Sequence, residues 1–203
     1  MKARLTAPLT ILAILGLLFL LPPERTLGDV IKLVLLHGAL VRVGLIAFAL
    51  AGALGAICLF TTQPHWLRWC QATQVTALLF WLGNVISSSI ATKWAWGEWI
   101  AWSEPRVWAT IHITWMALAC LLLTRWVNQR SFTALANLAV AGISWGLIKG
   151  ATLVRHPFDP IGSSNVWLYQ ALYGAMVILL LVAGWQFARW LQYSHWLIAD
   201  QQT

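Results

Sequence analysis

Charge is what this sequence has least of. Of 203 residues, 13 are Lys or Arg and six are Asp or Glu, 9% in all, whereas a soluble domain devotes about a quarter of its residues to them. Too few polar groups remain to coat a water-facing surface, so a soluble globular domain is excluded. Cysteine is scarce as well. Cys58, Cys70 and Cys120 form no Cys-x-x-Cys, which removes covalent cofactor attachment and thiol exchange from the candidate chemistries. There is no phosphate-binding glycine loop and no Ser-His-Asp arrangement. The net charge of +7 is scattered along the chain, so no basic face for nucleic acid exists. Internal repeats and low-complexity linkers are also missing.

What is present is apolar length. Hydrophobic residues make up 60% of the chain, and uncharged stretches near the twenty residues needed to cross a bilayer recur at about 5–21, 31–60, 66–91, 106–127, 132–154 and 166–191. The breaks have local chemistry. Pro22-Pro23 closes the first span, Pro64 sits in a polar turn, Asn128-Gln129-Arg130 separates the fourth span from the fifth, and HPFDPIGSSN separates the fifth from the sixth. His156 precedes a proline, which disfavours helical geometry, so the fifth helix is expected to end there, with Ser164 or Asn165 capping the sixth. Lys2, Arg4 and the apolar run after them also have the form of a signal peptide, but no small-x-small cleavage site follows, and a retained helix is expected. The expected fold is all-α: one integral membrane domain over 1–203, a polytopic protein of six transmembrane helices with cytoplasmic N- and C-termini, in a bacterial or archaeal cytoplasmic (inner) membrane.

Orientation normally follows Lys and Arg in short loops. With the N-terminus inside, Lys2, Arg4, Arg68, Arg125, Arg130 and Arg189 are inner, while Arg25, Lys32, Lys93, Arg106, Lys149 and Arg155 are outer. The count is tied, so either the orientation is inverted or the outer cations meet an anion there. Arg42 falls inside the second span, where insertion costs about 2.5–3.5 kcal/mol; no acid of the chain shares that depth, and a subunit partner is the expected counterpart.

Tryptophan is the conspicuous excess, at 15 residues. Trp94, Trp96, Trp99 and Trp102 crowd the connection between spans three and four, with Trp108 just after and Glu98 and Glu104 among them. An interfacial aromatic belt accounts for single rings such as Trp66 or Trp190. It does not need four rings in one loop, which read instead as a platform for a large, flat, mostly apolar ligand.

The run WGEWIAWSEPR resembles the tryptophan-rich signature of the haem-handling proteins of cytochrome c maturation, the CcmC/CcsA-like family. Trp96, Gly97, Trp99 and Trp102 match directly; Glu104-Pro105-Arg106 matches the acidic-Pro-basic ending after one inserted residue, Ser103, and Ile100 stands in place of a tryptophan. Lys32, five positions before His37, matches the basic residue and histidine that open the second helix in CcmC-like proteins, and His156 takes the place of a second family histidine beyond the fifth helix. The resemblance implies haem b bound at the outer face, ligated by His37 and His156, and presented to a periplasmic haem chaperone or apocytochrome acceptor. It implies a carrier, with no catalytic residue and with other membrane subunits of a maturation complex as partners.

The residue chemistry is compatible with that ligand. Porphyrin faces pack on indoles, haem iron takes imidazole, and propionates take Lys or Arg, for which Lys32, Arg106, Lys149 and Arg155 are candidates. His37 lies eight residues beyond Asp29, about 12 Å along a helix, an intramembrane ionisable position of the kind that is usually functional. His156 is equally readable as a plain surface histidine. His112, six residues past Arg106 and so about 9 Å into the fourth helix, is the alternative second ligand, and a His37–His112 pair would suit a haem-b electron-transfer subunit of a respiratory complex. A structural membrane subunit without haem is the third alternative.

Overall fold

The computed structural model describes residues 2–151 and 166–194, with side chains from residue 6 onward. Among the described residues there is no strand, and six helices follow one another: α1 (Lys2–Leu20), α2 (Val30–Phe60), α3 (Pro64–Trp96), α4 (Pro105–Val127), α5 (Arg130–Gly150) and α6 (Trp167–Leu191). Five of them, α2 to α6, are long and apolar enough to cross a membrane, and the described apolar part of α1, Thr6–Leu20, is shorter. This is the architecture of a multi-pass helical membrane protein.

Local signals explain most ends. Pro22-Pro23 follows α1, and the chain then makes a tight loop in which Glu24 and Gly28 exchange both backbone hydrogen bonds, at 3.0 and 2.7 Å. Gly28 adopts φ +55° there, a left-handed conformation glycine takes without steric cost. Pro64 and Pro105 occupy the first turns of α3 and α4, where a missing N–H is harmless. Both helices stop at a left-handed residue, Gly97 at φ +81° and Asn128 at φ +46°, whose N–H groups reach back to Lys93 O and Thr124 O, a common helix terminus. Two boundaries differ from expectation. α3 continues to Trp96, five residues past the end of the apolar run, and α5 stops at Gly150; Ser164, Asn165 and the loop that holds them lie outside the described residues.

α2 and α3 form the centre. α2 packs on α3, α5 and α6, α3 also meets α4, α5 and α6, α4 lies on α5, and α1 lies on α6. Contacts along the α2–α3 pair run from His37 with Asn84, through Gly44 with Trp81, to Ala51 with Cys70, so the two are antiparallel. Trp81 is fully buried in a cluster with Phe48, Ile113, Ala117 and Val140, and its indole N–H donates to Thr110 O at 3.3 Å. On the other side of α2, Leu35, Ala39 and Val43 pack on Tyr173, Met176 and Leu180 of α6.

Because lipid tails are as apolar as leucine, helices in a bilayer are held by close packing and hydrogen bonds more than by burial from water. The α2–α5 contact shows both. A Cβ on Gly52 would stand 2.6 Å from Ala141 Cβ, and one on Gly55 would stand 2.6 Å from the carbonyl oxygen of Ala134. Trp145 Nε1 donates across the same interface to Leu45 O at 3.1 Å. At its far end Arg130 closes the contact. Its guanidinium donates to the carbonyls of Cys58 (3.2 Å), Thr62 (3.0 Å) and Gln63 (3.3 Å), and also to Thr61. A cation there satisfies carbonyls that no helix turn can reach and opposes the negative end of the α2 dipole.

Two expectations follow. Gly55→Ala must push α5 away through its backbone and should destabilise the protein by about 1–3 kcal/mol, whereas Gly146→Ala, with nothing within 4 Å of its added carbon, should leave the unfolding midpoint in detergent unchanged or slightly higher. Arg130→Met should cost about 2 kcal/mol, and Arg130→Lys, which keeps the charge without the planar fork, should recover only part of it.

Candidate functional site

Alternating helices bring the 21–29 and 97–104 connections to one end of the bundle, the end where α3 finishes and α4 starts. Trp94 and Trp96 belong to the last turn of α3, not to the loop, and both project outward. The tryptophan connection proper is therefore only residues 97–104. Lys93 shapes its start: Nζ donates to Gly97 O at 2.8 Å and lies 5.9 Å from the centre of the Trp99 ring, within cation–π range.

The second half of the connection is a tighter structure. Glu104 N donates to Ala101 O and Val107 N to Glu104 O, so the chain turns directly into α4. Trp108 Nε1 donates to Trp102 O at 2.9 Å, and the two rings lie 5.4 Å apart at 49°. Trp108 is in turn 6.3 Å from the His112 ring. Trp102, Trp108 and His112 thus form an aromatic ladder on an exposed face of α4, which Trp115 extends. The spacing 108, 112, 115 follows the helical period of 3.6.

The two histidines have a matching chemical arrangement. His37 Nδ1 faces Asn84 Oδ1 of α3 at 3.0 Å, and His112 Nδ1 faces the backbone oxygen of Trp108 at 2.7 Å. Each of those oxygens only accepts, so in the neutral imidazole Nδ1 carries the proton and Nε2 the lone pair. A hydrogen bond on one ring nitrogen that orients the other is the usual second layer of a histidine ligand. Each lies seven residues into its own helix, about 10 Å along the axis. His37 is half-buried between α2 and α3, and His112 is exposed on α4. The two stand on different helices, and His156 lies outside the described residues.

The cations expected to meet an anion find much of it within the chain. Lys32 Nζ is 2.8 Å from Asp29 Oδ1. Arg106, in the first turn of α4, is half-buried and is attracted by Glu104, itself 3% exposed. Lys149 ends α5 with Nζ 5.7 Å from the Trp145 ring; Arg155 lies outside the described residues. Arg42, inside the second span, faces out of the bundle with its guanidinium 5.2 Å from the Tyr173 ring, while Tyr173 OH donates to Gly38 O at 3.1 Å. A flat cation stacked on an aromatic ring tolerates an apolar position better than a bare one.

Asn84, a polar residue inside the third span expected to hydrogen-bond across helices, does so to His37, while two residues at this end had no such role from sequence: Lys93 as the organiser of the loop start, and Trp108 as the link from loop to His112. The last had a signal, since 108 and 112 are one helical turn apart. Asn84 had the weaker signal of a polar residue inside a span. Its neighbours Ser87 and Ser88 donate to their own helix at Gly83 O and Val85 O. Among the described residues no group of three or more His, Cys, Asp or Glu could hold a metal ion, so any metal here would rest on one or two imidazoles. A groove of about 440 Å³ lies between α2 and α5, lined by Gly52, Ala53, Leu138, Gly142 and Trp145, none of them part of the tryptophan end.

The chain matches no protein-family model, no curated protein and no solved structure.

Glu24 of the neighbouring loop supplies a pH-dependent element. Its Oε2 accepts the backbone N–H groups of Leu27 and Thr26, both at 2.8 Å, and these bonds hold the carboxyl below the ordinary glutamate value. A depressed carboxylate stabilises the folded loop above its unfolded pKa and loses that contribution as pH falls through the folded one. The wild type should therefore be more stable than Glu24→Gln at neutral pH, and the difference in unfolding midpoint should shrink to nothing on acidification below the ordinary glutamate range.

Proposed function

We propose that this protein binds haem b at the end of the bundle that carries the tryptophan connection and presents it to an acceptor outside the membrane during cytochrome c maturation. The observation that carries the reading is the Trp102–Trp108–His112 ladder, an exposed row of aromatic faces ending in an imidazole whose Nδ1 is already bonded and whose Nε2 holds the lone pair. Donor chemistry of this kind fits a porphyrin with an imidazole-binding iron. The iron ligands are drawn from His37, His112 and His156, with Trp94, Trp96, Gly97, Trp99 and Trp102 forming the platform.

The chain's own residues have simple tasks. Asn84 orients the His37 ring, Trp108 orients that of His112, and Lys93 and Gly97 fix the start of the platform. The remaining positive charge of Arg106, Lys149 and Arg155 serves the propionates, with Lys32 shared between this role and Asp29. An exposed platform leaves one ligand position open to competition by an acceptor imidazole, so transfer requires no bond making by this chain. The acceptor is a haem chaperone or an apocytochrome, and further membrane subunits complete the assembly in the inner membrane.

One observation favours a second reading: His37 and His112 share both tautomer and depth along their helices, which suits a bis-imidazole haem b kept for electron transfer in a respiratory complex. The two are separated by purifying the protein in mild detergent, recording oxidised and reduced absorption spectra, and challenging it with apomyoglobin. Haem that passes to apomyoglobin and is lost in His37→Ala, His112→Ala or His156→Ala supports the carrier. Haem that resists transfer and depends on His37 and His112 supports the electron-transfer subunit, and a protein that takes up no haem at all overturns both.

A further inference from the structure

The most polar part of the interior lies away from the tryptophan end, where α3, α4 and α5 meet. α3 buries Gln71, Thr73, Gln74 and Thr76 within six consecutive positions, and α5 buries Thr133 and Asn137. Gln74 is 4% exposed and Asn137 3%. Asn137 Nδ2 donates to Thr133 O at 2.8 Å, but Asn137 Oδ1 and both amide atoms of Gln74 have no hydrogen-bond partner in the protein. Gln74 stands ten residues beyond Pro64, about 15 Å along α3, deep inside a span where lipid offers no hydrogen bonds.

Between these amides is a small, partly enclosed cavity of about 10 Å³, lined by Gln74, Cys120, Leu121, Thr124, Ala136 and Asn137. That is the space one water centre needs, on the order of 10–15 Å³, and its lining holds the polar groups such a water requires. From these observations we propose that a single water molecule is a resident part of this bundle, bound between α3, α4 and α5 by the amides of Gln74 and Asn137.

The partners select water over other small occupants. Asn137 Oδ1 needs a donor, and Gln74 offers one atom that donates and one that accepts. Water both donates and accepts and is small enough for the space. A cation would gain the two amide oxygens but has no carboxylate in the lining and finds Gln74 Nε2, a donor, among the groups it must satisfy. The water therefore ties α3 to α5 at one point, against the α4 side chains Cys120, Leu121 and Thr124 that complete the lining.

Radiolytic hydroxyl labelling in ¹⁸O-water, on the full chain in phosphatidylcholine nanodiscs, tests this directly. Leu121 lines the cavity whereas Leu122 and Leu123 of the same helix face outward, so the three leucines form an internal comparison of equal chemistry. The resident water predicts several-fold faster ¹⁸O incorporation at Leu121 than at Leu122 or Leu123, with the excess lost in Gln74→Leu. Equal labelling of the three in the wild type overturns the proposal, whether the amides are dry or bonded directly to each other, and this comparison stands even if the variant does not fold. Thermal unfolding supplies a second reading. With water present, Gln74→Leu and Asn137→Leu each strand a partner and lower the midpoint by a few degrees, the double variant losing less than the sum; dry amides would make each single replacement raise it.

Discussion

The close approach of α5 to α2 sets the position of everything else in this bundle. In lipid, two helices gain little by hiding apolar surface from each other, so their contact must come from backbones near enough for dispersion and for side chains to reach across. Gly52 and Gly55 make that possible on one face of α2, and Arg130 locks its end. With that face committed to α5, α2 turns another to α3 and a third to α6. His37 meets Asn84, and Gly38 meets Tyr173, because α2 has been placed and cannot rotate to avoid either.

Charge is handled by the same local means. Two of the acids at the tryptophan end have a cation near: Asp29 pairs with Lys32, and Glu104 lies two positions from Arg106 and attracts it. This gives the tied distribution of basic residues a physical counterpart within the chain itself. An exposed pair such as Asp29–Lys32 contributes little to stability, whereas the buried Glu104 at the start of α4 combines a carboxylate with the positive end of a helix dipole.

The six helices were legible from hydropathy, and five of them are long and apolar enough to cross a membrane, because a bilayer imposes a length that few other environments impose. Their ends were legible where proline or asparagine acts on the backbone directly. The end of α3 was not, since hydropathy fades at Lys93 while the hydrogen-bonded backbone continues until Gly97 turns left-handed. Which way Arg42 turns was not legible for a related reason: periodicity says which residues share a face but not which face a neighbouring helix covers. The tryptophan cluster was visible at once as composition, yet its division between a helix end, a short turn and the Trp108–His112 ladder depends on a loop conformation that spacing does not specify. The pairing of His37 with Asn84, 47 positions apart, depends on the register of two packed helices, and no local pattern encodes it.

α3 is one unbroken helix of 33 residues, about 50 Å long, and it carries Gln74, Asn84 and Trp96 on a single stiff rod. One continuous backbone therefore sets the heights of the tryptophan-bearing tip, of the amide that holds the His37 imidazole and of the buried Gln74, so the register in which α3 packs on α2 fixes the spacing between the platform and the polar depth of the bundle.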